Sequence, residues 1–220
     1  LGFMPPQTTE WEPELRSHLR IADIVESART AAAALRRQGA DLVIALSHSG
    51  IGPPEPSPLM ENAATALAAV EGVDAIIAGH THRLFPSAGH PGGRGVDALS
   101  GTLAGKPAVM PGFWGSHLGV IELALTRTPA GTWRVRGHCC RLESAHRQAE
   151  HGLVTAPLAV THRKTLRHFR RRIGRSGVRL GSHFTLLGHD PGLRLVAMAQ
   201  RWFARRALRG GRWQVSLIHI

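Results

Sequence analysis

The feature that most limits how this chain can fold is a unit that occurs twice: a helix, a short unbroken apolar strand, and histidine where the strand ends. From Ile21, the positions Ile24, Val25, Ala28, Ala32 and Leu35 recur at helical spacing, Glu26, Arg29 and Arg36 lie opposite, and Gly39 stands as a C-terminal stop. Leu42 to Leu46 follows as a continuous apolar run, the pattern of a strand covered on both faces, and delivers Ser47-His48-Ser49-Gly50. After a Pro-rich loop from Pro53 to Pro58 the unit returns. An Ala-rich helix from about Glu61 to Glu71 is closed by Gly72, and Ala75 to Ala78 leads into Gly79-His80-Thr81-His82. Alternating helices and buried strands predict an α/β fold around a parallel sheet, whose sites form in the crevice at the carboxyl ends of the strands. His48, His80 and His82 are therefore the candidate functional residues.

The remainder of the chain is less repetitive. A Gly-rich loop from Ser87 to Gly105 leads to the short strand Pro107 to Met110. Leu118 to Leu125 and Thr132 to Arg136 then predict a hairpin around Pro129-Ala130-Gly131, with Trp133 and Val135 facing in and Arg134 and Arg136 facing out. Beyond about residue 146, Leu158, Leu166, Phe169 and Ile173 continue a long basic helix that suits a linker. Asp190-Pro191, a capping residue before a first-turn proline, predicts another helix ending near Gly210. A chain of 220 residues holds one domain or one and a part, since domains run to about 150 residues.

Composition removes several function classes. Hydrophobic content of 43% with 19% charged residues excludes a wholly disordered chain, and no apolar run nears the roughly 18 residues that cross a bilayer. Cys139 and Cys140 are adjacent, which suits free thiols better than a framework of cross-links. The opening Leu1-Gly2-Phe3-Met4-Pro5-Pro6 lacks the charged start and long apolar stretch of a signal peptide. The net charge of +12 is unevenly spread: residues 161–220 carry 14 basic side chains against the single acid Asp190. Such a tail attracts polyanions by counterion release, so a non-catalytic nucleic-acid-binding module is the rival class. Against it, the tail has no zinc-finger spacing, no aromatic RNA-binding motif and no tyrosine for base stacking.

Histidine is the common neutral ligand for borderline divalent metals, and Gly79 lets the chain bend sharply before two imidazoles two residues apart. Two such rings aim at neighbouring points rather than one, which suits a pair of metals about 3.5 to 4 Å apart. His117, beside Ser116 and near Trp114, suits a structural bond from its ring to a nearby carbonyl. Glu61-Asn62 suits a pair that stabilises the start of a helix, and Arg83 reads equally as a phosphate contact or a solvated charge.

Three stretches carry a resemblance. Ala40 to Ile51, Gly72 to His82, and the string Pro107-Ala108-Val109-Met110-Pro111-Gly112-Phe113-Trp114-Gly115-Ser116-His117-Leu118-Gly119 resemble the later motifs of the calcineurin-like metallophosphoesterases. Within them the match is to the 2',3'-cyclic-nucleotide 2'-phosphodiesterase/3'-nucleotidases of the 5'-nucleotidase family, and the third string is the most discriminating piece. The resemblance implies an internal fragment of a longer protein. Residues 1–145 would be the C-terminal half of a four-layer αββα metallophosphoesterase sandwich, 146–175 a linker helix, and 176–220 the start of the nucleotidase C-terminal domain.

It also implies two divalent metal ions (Zn, Mn, Co or Fe), with His48 and His80 as ligands of the second and His82 of the first. The Asp-x-His motif, the bridging Asp and the Gly-Asn-His-Glu motif of the family, the last supplying the leaving-group acid, are absent from this stretch. The base-stacking aromatics of the family would lie beyond residue 220. Three neutral imidazoles do not neutralise two dications, so the fragment alone is expected to bind metal poorly and to be inactive. A nucleotide substrate, a periplasmic location and a monomeric state complete the expectation.

Overall fold

The computed structural model of the chain describes residues 1–208 apart from positions 130, 147, 182, 184, 188 and 189. It divides into two compact units, Leu1–Ala149 and Glu150–Ile220.

The first unit is built from the strands β1 (Gly2–Phe3), β2 (Ile44–Ser47), β3 (Ala75–Ala78) and β7 (Lys106–Pro111), which run parallel in that order. Around β7 the sheet turns antiparallel: β4 (Leu84–Phe85) pairs with its end, and β6 (Thr102–Leu103) followed by β5 (Val96–Asp97) extends it outward. Helix α1 (Thr8–Trp11) and a 3-10 turn at Pro13–Ser17 follow β1. Helix α2 (Ile24–Arg37) precedes β2, and α3 (Ala64–Ala68) precedes β3.

Helix α2 is set by local chemistry at both ends. Asp23 caps it by accepting the Glu26 backbone N–H at 2.9 Å, and its other oxygen accepts Leu59 N–H at 2.7 Å, tying the Pro-rich loop down. At the far end Gly39 adopts φ +91°, Ala40 N–H reaches the Leu35 carbonyl and Gly39 N–H the Arg36 carbonyl, the paired bonds of a Schellman stop. The inward stripe Ile24, Val25, Ala28 and Ala32 is buried. Its small side chains let α2 approach α3 and Gly72 closely; a Cβ at Gly72 would stand 3.4 Å from the Ala32 Cβ. Val43, Ala45, Ile76, Phe85, Leu103 and Met110 complete the core. Asp74 locks β2 to β3: its Oδ2 accepts Val43 N–H at 2.7 Å and pairs with Arg36 Nη2 at 2.5 Å.

Two expectations are corrected here. The strands β2 and β3 are not covered on both faces, because Ala45 and Ser47 pack inward whereas Leu46 and Ile77 are 54% and 40% exposed. The Ala-rich helix is also short. It occupies Ala64–Ala68 and begins at Ala63 without a side-chain cap, so Glu61 and Asn62 do not stabilise its start.

The hairpin of β8 (His117–Arg127) and β9 (Trp133–Ser144) is longer than hydropathy indicates, since alternation is interrupted by a register shift at Ala124/Leu125 and resumes as far as Ser144. Val135 is half-buried while Trp133 is 42% exposed, so Trp133 does not face inward as expected. Its backbone N–H is instead bound by the Asp41 carboxylate at 3.1 Å. Cys139 and Cys140 are both free thiols.

The second unit contains α4 (Gly152–Phe169) and α5 (Pro191–Ala207). His151 caps α4 through its ring, which accepts Leu153 N–H at 3.3 Å, and Asp190 caps α5 by accepting Leu193 N–H at 2.8 Å. Helix α4 stops short of Ile173, which is exposed. Neither helix buries a described residue. The expected end of α5 near Gly210 lies outside the described residues, as does residue 211 onward. Among the described residues, no helix is long and apolar enough to cross a membrane.

Candidate active site

The site lies where β2 and β3 end side by side. Ser47 is in register with Ala78, so the residues that follow each strand, His48 and the Gly79-His80-Thr81-His82 turn, emerge together at the carboxyl edge. The turn is tight: Thr81 N–H reaches the Gly79 carbonyl at 2.8 Å, and His80 and His82 both adopt left-handed backbone with φ of +70° and +58°. Left-handed backbone costs a non-glycine residue about 1–2 kcal/mol. Surrounding bonds hold the turn in place. Gly79 N–H is bound by the Ser49 carbonyl at 3.3 Å, Ser49 Oγ donates to the Glu61 carbonyl at 2.6 Å, and Ser49 Oγ accepts Ala63 N–H at 2.7 Å.

His80 is held from three sides. Its Nε2–H donates to Glu61 Oε1 at 2.6 Å. Trp11 stacks on the ring with centroids 5.3 Å apart and 17° between planes, and His48 meets it edge-on at 5.4 Å and 62°. Because the Nε2 proton is given to the carboxylate, a neutral His80 keeps its lone pair on Nδ1. His82 has a different neighbour: its ring lies parallel to Phe113, with centroids 5.1 Å apart. The structure thus pairs His48 with His80 and pairs His82 with an aromatic ring.

Glycine is required at one point of this rim. A Cβ at Gly50 would stand 2.3 Å from Asn62 Oδ1 and 2.5 Å from Thr81 Cγ2, so only glycine lets the Glu61-Asn62 segment lie against the histidine turn. Asn62 Oδ1 is itself buried and has no hydrogen-bond partner.

Glu61 and Trp11 are the site residues that spacing and periodicity do not reveal. Trp11 precedes the first recurring unit and carries no pattern. Glu61 is separated from His80 by 19 residues, and only the return of the Pro-rich loop brings the two together. His117 keeps a structural place, although its Nδ1 bonds the Ser116 hydroxyl at 3.0 Å rather than a carbonyl.

The chain does not close a metal site by itself. Among the described residues, no three His, Cys, Asp or Glu side chains are grouped so as to hold a metal ion. The donors present suit a borderline dication in kind, and the Glu61–His80 pair is the outer-layer arrangement that fixes metal-binding histidines elsewhere. Among the described residues, Glu61 is the one carboxylate hydrogen-bonded to these imidazoles.

Comparison with known proteins identifies the fold. The chain superimposes on the crystal structure of the calcineurin-like phosphoesterase YfkN from Bacillus subtilis with a TM-score of 0.72 and 39% identity, over 78% of this chain and 52% of that one. The chain is similar over most of its length to calcineurin-like phosphoesterases. Among curated proteins, the trifunctional nucleotide phosphoesterase protein YfkN of Bacillus subtilis is 37% identical to this chain over 213 residues, 95% of the chain and 14% of YfkN. The 2',3'-cyclic-nucleotide 2'-phosphodiesterase/3'-nucleotidase of Salmonella typhimurium is 34% identical over 218 residues, 96% of the chain and 34% of that protein. The chain therefore spans about a third or less of these relatives. No protein-family model matches it. Calcineurin-like phosphoesterases are generally two-metal enzymes.

Proposed function

We propose that this chain is the histidine-bearing part of a nucleotide phosphoester hydrolase, a 2',3'-cyclic-nucleotide 2'-phosphodiesterase/3'-nucleotidase. The observation that carries this reading is the pairing of His48 and His80 at 5.4 Å on the edge of two parallel strands, with the Glu61 carboxylate on His80. Relatives named for these activities support it.

On this reading His48 and His80 hold the second of two metals and His82 holds the first, each offering a neutral imidazole. Zn, Mn, Co and Fe all accept such donors. The missing carboxylates, the leaving-group acid and the base-stacking aromatics come from outside residues 1–220. Bound together, the two metals would lower the pKa of a water and stabilise charge on the phosphate oxygens. The chain's own contribution is positional. Glu61 keeps the proton on Nε2 of His80 and so presents Nδ1 as the donor atom, Trp11 restrains the ring from turning, and Ser49 anchors the backbone of Glu61.

The segment 146–175 is then a linker helix and 176–220 the start of the nucleotidase C-terminal domain, in a monomeric protein of the periplasm. The basic residues of that region attract polyanions without sequence preference.

Hydrolysis of bis-p-nitrophenyl phosphate with added Mn or Co tests the proposal. The full-length protein turns the substrate over, His80→Ala loses the activity, and residues 1–220 alone show none. A full-length protein without turnover would overturn the hydrolase reading. Robust turnover by residues 1–220 would overturn the ligand assignment.

A further inference from the structure

The turn that carries His80 and His82 is held in its middle by a side chain that the proposed chemistry does not use. Thr81 stands between two residues in left-handed backbone, a conformation that persists only where its surroundings over-determine it. Backbone bonds secure the two ends of the turn: Gly79 N–H is bound by the Ser49 carbonyl at 3.3 Å, and the Arg83 carbonyl accepts Gly112 N–H at 3.1 Å. The middle rests on Thr81. Its hydroxyl donates to Met110 Sδ at 3.4 Å, and its methyl carbon lies 2.5 Å from where a Cβ on Gly50 would be. One branch of the side chain thus reaches the end of β7, and the other lies against the residue two positions past His48. Because χ1 of a β-branched residue is stiff, the two contacts fix one orientation.

A thioether sulfur is a weak acceptor, so the strength of this bond is not what makes it useful. The immobility of the acceptor is. Met110 is fully buried in the core and in register with Phe85 of β4, and close-packed interiors resist displacement. Thr81 therefore ties a strained turn to a fixed point. The imidazoles on either side of it keep different company, His80 with Glu61 and Trp11, and His82 with Phe113.

We propose that Thr81 is a positioning residue: its hydroxyl, anchored on Met110, holds the turn so that the His80 and His82 rings keep their separate neighbours. That this separation serves two ions rests on the reading above; the anchor itself does not.

The test follows the His80 ring directly. In the metal-free full-length protein, the Nε2 proton of His80, in its 2.6 Å bond to Glu61, is expected to give a downfield proton NMR signal that Glu61→Ala removes. Thr81→Val keeps the shape of the side chain and removes the donor, whereas Met110→Leu keeps the apolar bulk and removes the acceptor. Both are expected to broaden or abolish the signal and to weaken Mn binding, followed by paramagnetic resonance, about tenfold, the lower end of what loss of a residue behind a metal ligand brings. Thr81→Ser restores the donor and is expected to keep the signal, with Mn affinity within about threefold of the parent protein. An unchanged signal in Thr81→Val would overturn the anchor. So would a loss in Thr81→Ser equal to that in Thr81→Val, because the methyl contact with Gly50 would then be what holds the turn. The two proposals fail separately. A parent protein that binds no Mn, while its His80 signal depends on the Thr81 hydroxyl, sinks the metal reading and leaves the anchor standing. Two bound Mn ions with turnover, and a signal and affinity indifferent to Thr81→Val, do the reverse.

Discussion

The Glu61 carboxylate accepts the Nε2–H of His80 at 2.6 Å, and this bond decides which nitrogen of the ring keeps a lone pair. Outer-layer partners of this type are worth about 10- to 100-fold in metal affinity or activity. In the full-length protein, Glu61→Ala is expected to weaken Mn binding by about tenfold or more and to lower kcat for bis-p-nitrophenyl phosphate. Glu61→Gln keeps an accepting oxygen, so it is expected to restore most of the Mn affinity. Measuring Mn affinity by paramagnetic resonance in both variants checks this, and equal loss in the two would show that charge rather than orientation is what Glu61 supplies.

Substitution at Gly50 tests how tightly the rim is packed. An alanine Cβ would stand 2.3 Å from Asn62 Oδ1 and 2.5 Å from Thr81 Cγ2, so both side chains would have to shift. Gly50→Ala is expected to cost about 1–3 kcal/mol, the usual range for overpacking. Urea unfolding of the two proteins measures it, and an unchanged midpoint would mean that the Asn62 segment is free to shift.

Asp74 joins two functions, a partly exposed ion pair with Arg36 and a hydrogen bond from the buried Val43 N–H. The second dominates, because exposed ion pairs contribute about 0–1 kcal/mol whereas an orphaned buried donor costs about 1–3 kcal/mol. Asp74→Ala is therefore expected to destabilise by about 1–3 kcal/mol and Asp74→Asn, which can still accept from Val43, by clearly less. Denaturant midpoints of the two variants decide it; equal losses would assign the effect to the charge.

His90 gives stability a defined pH dependence. Burial, aided by the positive Arg83, lowers its pKa from the ordinary 6.5, and its ring sits edge-on to Phe85 at 5.3 Å. Between the lowered value and 6.5 the unfolded chain holds more protons than the folded one, so stability rises with pH across that window. The contribution is present above the window and is lost as pH falls through it. Comparing urea midpoints at about pH 7.5 and about pH 5.5, His90→Gln is expected to lose less stability on acidification than the parent protein. Identical losses would assign the acid sensitivity to other groups.

Much of the fold is legible along the chain because its causes are local. The Asp23 cap, the Gly39 stop and the stripe from Ile24 to Ala32 specify α2 within one stretch, and Asp190-Pro191 starts α5 where expected. The apolar runs before His48 and His80 likewise become adjacent strands, which is why both histidines reach one edge. Short-range signals mislead where burial is settled by distant partners. Leu46 and Ile77 sit in unbroken apolar runs yet lie open, and the second helix shrinks to Ala64–Ala68.

The sequence by itself determined that two strands would each end in histidine at the same edge of a parallel sheet, since strand periodicity and glycine placement act over a few residues. Only the tertiary structure decided the company each ring keeps: His80 with His48, Glu61 and Trp11, and His82 with Phe113. The reason is physical. These contacts depend on loops that close over long separations, and nothing in the spacing of residues encodes which side chain a returning loop will set against a ring.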